Sequence, residues 1–200
     1  MTGWLTALGS EGTALALLIL GHVLADFTFQ TDELAKNKHQ FGPLLFHGGI
    51  VIVVHVVTFI PLLTLQTALI VVFVGVFHLI IDAVSARFRQ QEATSTHMFL
   101  GDQITHLLII LVGWSLMDAT ALTVSPVVTA LGSEARLPWS EMTTGALYVS
   151  ALVFAHKGGN TLVRGVLPEE GPESKAEEDD LEAGSLIGSL ERWIIILLGL

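Results

Sequence analysis

The sequence has no cysteine and few charged residues, and each shortage excludes a class of protein. Without cysteine the chain forms neither disulfides nor a thiolate metal site. Only 14% of the residues are charged, whereas a soluble domain carries about a quarter. Basic residues are the scarcer kind, and the net charge of -10 argues against nucleic acid as a partner. Hydrophobic residues make up 52% of the chain and the mean hydropathy is +0.68, so the composition predicts a small membrane protein.

Four apolar segments are long enough to cross a bilayer as helices. The hydrocarbon core is roughly 30 Å thick and requires about 20 helical residues. Their length and the scarcity of turn residues favour helices, although valine and isoleucine also suit strands. The candidate spans cover residues 13–30, 43–63, 66–86 and 99–117, and a weaker fifth covers about 140–157. The sequence therefore predicts an all-α, polytopic transmembrane helix bundle with four core spans.

The last part of the chain has a different composition. Residues 168–182 contain eight of the 19 acidic residues and two prolines, which is typical of a solvated, disordered segment. We therefore expect three units: a transmembrane helix bundle over 1–166, an acidic disordered cytoplasmic linker over 167–183, and the start of a C-terminal amphipathic or transmembrane helix over 184–200. Only eight residues follow Arg192, too few to cross a bilayer. This end is expected to be either a helix at the interface or a truncated sixth span, and we favour the second.

The basic residues predict how the bundle is oriented. Eight of the nine lie on one side of the predicted spans, and Arg136 alone lies on the other. The eight are Lys36, Lys38, Arg87, Arg89, Lys157, Arg164, Lys175 and Arg192. The positive-inside rule makes their side cytoplasmic and places the N-terminus outside.

Histidine and aspartate recur four residues apart inside the predicted spans. The pairs are His22 with Asp26, His78 with Asp82, and Asp102 with His106, and the second span carries His47 and His55. Residues four apart share a helix face, and charged groups within a bilayer are costly and usually serve a function. With the N-terminus outside, all of these residues except His55 fall in the cytoplasmic half of their spans. His55 lies about 12 Å deeper than His47.

The predicted layer has the donor atoms of a metal site. Imidazole nitrogens and carboxylate oxygens without thiolate suit zinc, and also manganese or iron. Four histidines and three aspartates exceed one tetrahedral zinc. They suit two metals, or one metal whose histidines are oriented by aspartates. The expected ligands of this divalent metal, zinc first, are His22, Asp26, His47, His78, Asp82, Asp102 and His106.

This donor set indicates hydrolysis. A metal-bound water provides a nucleophile without serine or cysteine, and the chain has no GxSxG, no phosphate-binding glycine loop and no HExxH. We expect a membrane metal-dependent hydrolase that acts on a lipid headgroup or another membrane-proximal phosphoester or amide. Asp102 or Asp82 is the expected catalytic base. Arg87 and Arg89 follow Asp82 and could hold a phosphate, although membrane anchoring is their simpler explanation.

Two other interpretations use the same residues. A metal-ion or proton transporter would use them as a transit site, although the outer halves of spans 1, 3 and 4 are almost wholly apolar and His55 is the only deeper polar step. A non-catalytic scaffold would use the pairs as interhelical hydrogen bonds and the acidic linker as a docking peptide. For His55 alone, packing with a backbone hydrogen bond is as good an explanation as a functional role.

Several motifs resemble one bacterial family. They are GHVLADFTFQTD followed by KNK, the histidines of the second span, FHLIIDAVSARF and FLGDQITHLLII, and later GGNTLVRGVL and GSLIGSLERWIIILL. Over about residues 14–200 the chain resembles an uncharacterised bacterial membrane family, domain of unknown function 3307. The resemblance implies an inner-membrane protein, and further hydrophobic segments after the LER motif in family members imply that this chain is truncated. The His/Asp pattern is also loosely similar to predicted membrane-bound metal-dependent hydrolases.

Overall fold

Helices form nearly the whole of the described structure. The computed structural model describes residues 9–89, 96–130, 137–166 and 178–198, and these ranges contain no strand. The α-helices are α1 (Gly9–Leu24), α2 (Asp32–Asn37), α3 (Phe41–Thr58), α4 (Leu65–Arg89), α5 (Thr96–Ser115), α6 (Pro126–Ala130), α7 (Trp139–Val166) and α8 (Glu178–Leu198). A π-helical turn, Ala25–Phe29, continues α1, and 3-10 turns cover Ile60–Leu62 and Ala119–Ala121. The predicted all-α fold is confirmed.

Four helical segments are long and apolar enough to cross a membrane, as predicted. They cover Gly9–Phe29, Phe41–Thr58, Leu65–Phe88 and Thr96–Ser115. The second is shorter than the predicted 43–63. Its α-helix ends before Pro61, because proline has no N–H to continue the helical hydrogen bonds and its ring clashes with the carbonyl four residues earlier.

The two last helices differ from their predicted segments. α7 extends to Val166 rather than to about 157. α8 begins at Glu178, inside the predicted linker of 167–183. Residues 167–177 of that linker lie outside the described residues.

The central helix of the bundle is α1. It packs against α3, α5 and α7, while α4 packs on both α3 and α5, and α8 packs on α7. The hydroxyl groups of Thr13 and Thr143 lie 2.8 Å apart between α1 and α7. Interhelical hydrogen bonds and close packing of this kind hold helices together where lipid removes the hydrophobic driving force. The apolar core includes Ala14, Leu18, Ile70, Val74 and Ile110.

Successive spans run in opposite directions, so the bundle has two different ends. Asp26 at the end of the first span, His47 near the start of α3 and Asp82 near the end of α4 lie together. We call this the site end. At the far end, the backbone N–H of Ser125 donates to the carbonyl oxygen of Pro61 at 2.9 Å, so the loops there close over the bundle.

The outward faces of α3, α4 and α5 are apolar. Exposed large side chains on them include Leu45, Phe46, Val53, Val57, Leu69, Val76, Ile80, Ile104 and Leu108. The inward faces of the same helices carry the buried histidines and aspartates. An apolar outside around a polar interior is the distribution expected of helices in lipid.

Candidate metal centre

A π-helical turn at the end of the first span carries Asp26. Single π-helical turns are frequent at functional sites. Asp26 is buried, and its Oδ1 lies 3.2 Å from His47 Nε2 and 3.2 Å from His78 Nε2. The turn therefore brings a carboxylate of the first span against the histidines of α3 and α4.

His47 and His78 form the middle of the cluster. Their Nε2 atoms lie 3.2 Å apart, and Asp82 Oδ2 lies 3.3 Å from the first and 3.4 Å from the second. Ligands of a tetrahedral zinc with bonds of about 2.0–2.1 Å are roughly 3.3–3.4 Å apart. Either aspartate together with the two histidines is therefore spaced as three corners of a zinc site. These residues would hold a divalent ion, which would supply an acidified water.

Hydrogen bonds determine which nitrogen is protonated in two further histidines. His106 Nδ1 donates to the backbone carbonyl oxygen of Asp102 at 2.8 Å, which leaves the lone pair on Nε2. His22 Nε2 lies 3.3 Å from Gln103 Oε1. Since an amide oxygen only accepts, the proton of His22 is on Nε2 and its lone pair is on Nδ1.

Each of these two nitrogens lies near a carboxylate oxygen. His22 Nδ1 lies 3.8 Å from Asp26 Oδ2, and His106 Nε2 lies 3.9 Å from Asp82 Oδ1. Within the described part of the chain neither nitrogen makes a hydrogen bond. A neutral imidazole nitrogen and a carboxylate oxygen are both acceptors, so such a contact is favourable only with a cation between them. Neutral histidine and ionised carboxylate are also the forms in which these groups bind metal.

The structure brings together all seven residues that the sequence singles out. Each is buried. They form three triads whose ligand atoms lie within 4.8 Å of one another: His22, Asp26 and His78; His47, His78 and Asp82; and Asp82, Asp102 and His106. The first and third triads share no residue, so the donor set can hold two ions at once.

The charge of the cluster favours a divalent cation. The three aspartates are at most 8% exposed, and Lys38 is buried with them. With neutral histidines, three carboxylates and one ammonium give a formal charge of -2. Uncompensated charge in a low-dielectric interior is costly, and one divalent ion would neutralise it.

Two residues of the cluster are missing from the set predicted by sequence. Lys38 fits the positive-inside pattern, yet its Nζ lies 2.9 Å from Asp82 Oδ2 and its side chain is 5% exposed. Nothing in the sequence separates it from the exposed Lys36. Gln103 accepts from His22 and donates through Nε2 to Asp102 Oδ2 at 3.3 Å. The one sequence signal for Gln103 is its place beside Asp102.

Other residues named from the sequence belong to none of the three triads. His55 Nδ1 donates to the carbonyl oxygen of Val51 at 2.8 Å. The His55 ring packs on Gly21, where an added Cβ would come within 2.7 Å of it, so His55 is a packed histidine. Arg87 is exposed, and the side chain of Arg89 lies outside the described residues.

An apolar cavity of about 440 Å³ lies between the end of the first span, α7 and α8. Phe27, which directly follows Asp26, forms part of its wall together with Leu152 and Trp193. Lys157 also lines the cavity and is exposed. The cavity therefore combines an apolar wall with one exposed cation.

Fold and cluster together define the class: a polytopic helical membrane protein with a buried His/Asp cluster at one end of the bundle. The sequence profile of the family described as "Protein of unknown function (DUF3307)" matches residues 14–131. The chain belongs to this family. The matched range includes all seven cluster residues, whereas the motifs in α7 and α8 lie beyond it. No curated protein and no solved structure matches the chain.

Proposed function

We propose that the protein is an integral membrane hydrolase that uses divalent metal, zinc first, to cleave a phosphoester at the membrane surface. The observation that carries the proposal is the pair of contacts at His22 Nδ1 and His106 Nε2. Each buried nitrogen lies within 4 Å of a carboxylate oxygen and makes no hydrogen bond in the described part of the chain. A divalent ion held by both groups would remove the repulsion between these two acceptors.

The cluster has the residues that phosphoester hydrolysis requires. A bound divalent ion would supply an acidified water and stabilise negative charge on the phosphoryl oxygens. The oxygen of water forms a bond to phosphorus, the bond from phosphorus to the ester oxygen breaks, and the alcohol leaves with a proton. Asp82 and Asp102 are the carboxylates placed to accept the proton of the water. The four histidines of the cluster would hold the metal.

The proposed location is the cytoplasmic leaflet of the inner membrane. The site end carries most of the basic residues, so the positive-inside rule assigns it to the cytoplasm and the N-terminus to the outside. The apolar cavity beside Phe27 suits the acyl chain of a lipid, and Lys157 suits an anionic headgroup. A membrane-embedded phosphoester is therefore the proposed substrate.

A transport role receives less support from the same structure. Transport needs a polar path through the bundle. Between the cluster and the far end the core is formed by apolar side chains such as Leu18, Val71 and Ile110. The deeper His55 is held by Val51 and Gly21, so it does not extend the polar cluster.

Elemental analysis of the purified protein in detergent tests metal binding. We expect zinc, manganese or iron in stoichiometric amount. His106→Leu should lower the metal content at least several-fold, because it removes a ligand. The matched control is His55→Leu, which removes an equally buried histidine outside the cluster and should leave the metal content unchanged. A folded wild-type protein that takes up no metal from micromolar zinc would contradict the proposal.

Activity is tested on the metal-loaded protein in nanodiscs and in liposomes. Release of phosphate or headgroup from an incorporated phospholipid, abolished by chelation and restored by zinc, is the expected result. Metal or proton flux across the liposome membrane without any hydrolysis would instead establish transport.

A further inference from the structure

Lys38 is the buried cation of the cluster, and its position suggests a role of its own. It is the one buried side chain among the described lysines and arginines. It follows α2 and reaches inward to Asp82, where Nζ and Oδ2 lie 2.9 Å apart. A lysine that only followed the positive-inside rule would keep its ammonium in water, as Lys36 does.

The carboxylate oxygen that Lys38 contacts is also a candidate metal ligand. Asp82 Oδ2 lies 3.3 Å from His47 Nε2 and 3.4 Å from His78 Nε2. An ion bound to this triad uses the same oxygen, which lowers the negative charge available to the ammonium. The ammonium then stands beside a dication in a buried region, where repulsion between like charges is weakly screened. In the metal-loaded protein the Lys38 ammonium would therefore be free to pair with a further anion.

We propose that Lys38 binds the phosphate oxygens of the substrate next to the metal, and so makes the site selective for a phosphoester over an uncharged amide. This inference rests on the proposed function, since it requires a metal ion on Asp82. A lysine ammonium is a compact point charge that suits phosphate. The arginines named from the sequence do not compete for the role, because Arg87 is exposed.

Binding of inorganic phosphate to the zinc-loaded protein tests the inference by calorimetry. We expect the Lys38→Gln variant to bind phosphate at least tenfold more weakly while its zinc content stays that of wild type. The matched control is Lys36→Gln, which removes an exposed lysine two residues earlier and should bind phosphate as wild type does. Lys38→Arg should restore part of the affinity, because it restores the charge. Lys38→Met replaces Lys38→Gln if the latter does not fold.

The outcomes separate this inference from the proposed function. If the wild-type protein takes up no zinc, the proposed function is refuted. If Lys38→Gln holds zinc and binds phosphate like wild type, the inference alone is refuted. The inference is also refuted if Lys38→Gln is folded but has lost zinc, because Lys38 would then be needed only to form the metal site. A second arm compares wild type in nanodiscs of phosphatidylcholine with nanodiscs that also contain phosphatidic acid. Weaker phosphate binding in the second kind identifies a lipid headgroup as the source of the phosphate, and equal binding identifies a soluble phosphoester; in either case Lys38→Gln must have lost phosphate affinity for the inference to stand.

Discussion

At the scale of single residues, Asp82 is where the contacts of the cluster meet. Its Oδ2 pairs with Lys38 and approaches His47 and His78, and its Oδ1 faces His106. One carboxylate thus connects α4 with α3, with α5 and with the residue that follows α2. A change at Asp82 should therefore alter both the stability of the bundle and its affinity for metal.

Asp82→Asn is expected to destabilise the metal-free protein. The substitution leaves the ammonium of Lys38 buried without its anion, and breaking a buried ion pair from one side costs about 3–5 kcal/mol. The free energy of unfolding in detergent, measured by denaturant titration followed by circular dichroism, should fall by that order.

The double variant Asp82→Asn with Lys38→Gln is the control for this prediction. It removes both charges, so it should recover most of the lost stability, and the coupling between the two sites follows from the double-mutant cycle. Zinc binding should remain weak in both variants, since both lack the Asp82 carboxylate. Equal instability of the single and double variants would exclude the ion pair as the cause.

The sequence predicts the donor atoms of the cluster better than its cations. Three His/Asp pairs at four-residue spacing lie on helix faces whatever the tertiary structure is, so His22, Asp82 and His106 are found from spacing alone. Lys38 is not, because a long flexible side chain near a span end either extends into water or turns inward, and the neighbouring helices decide which. The π-helical turn at Asp26 likewise has no signature in the local sequence.

At the scale of elements, the spacing of α3 and α4 depends on glycine. A Cβ at Gly75 in α4 would lie 2.6 Å from Ile52 Cγ1 in α3, and a Cβ at Gly48 would lie 2.9 Å from Leu79 Cδ1. Small residues let membrane helices approach closely. The same two helices carry His47 and His78, so their separation sets the distance between the two nitrogens.

Gly75→Ala is expected to force α3 and α4 apart. The obstructing atom belongs to the branched part of Ile52 rather than to a flexible tip, so overpacking should cost about 1–3 kcal/mol. Zinc affinity should fall as well, because the two imidazoles move with their helices. Denaturant titration and zinc binding of the purified variant measure the two effects.

Gly49→Ala provides the matched comparison on α3. A Cβ there meets nothing within 4 Å, so the variant should keep its zinc affinity and gain up to about 1 kcal/mol from helix propensity. Equal losses in the two variants would show that helix spacing is not what Gly75 provides.

The elements themselves were largely predictable, because a bilayer imposes long uninterrupted apolar runs on any helix that crosses it. All four predicted spans are present, with ends displaced by a few residues. The exact ends of the helices depend on local residues rather than on hydropathy. The α3 helix, for example, ends before Pro61. The length of α7 was underestimated, because polar residues such as Lys157 and Asn160 interrupt its apolar pattern without ending the helix.

At the scale of the whole molecule, the absence of cysteine makes the orientation of the bundle directly measurable. Lys36 lies at the site end and Ala121 at the far end, and both are exposed. We expect Ala121→Cys to react with a membrane-impermeant maleimide added to intact spheroplasts. Lys36→Cys should react only after lysis, since the positive-inside rule places it in the cytoplasm.

The wild-type protein is the blank for this experiment, because it has no thiol. The reverse labelling pattern would place the cluster at the outer leaflet and refute the proposed location. The net charge of -10 does not predict the result, because eight of the acidic residues lie in 168–182 and acidic residues contribute little to orientation.

The ion pair between Lys38 and Asp82 also bears on biogenesis. Asp82 enters the bilayer near the end of α4, and Lys38, which precedes α3, supplies its counter-charge from the same chain. The newly made protein therefore does not have to wait for an ion before its helices assemble. Under the proposed function, insertion and folding would therefore come first and metal loading second.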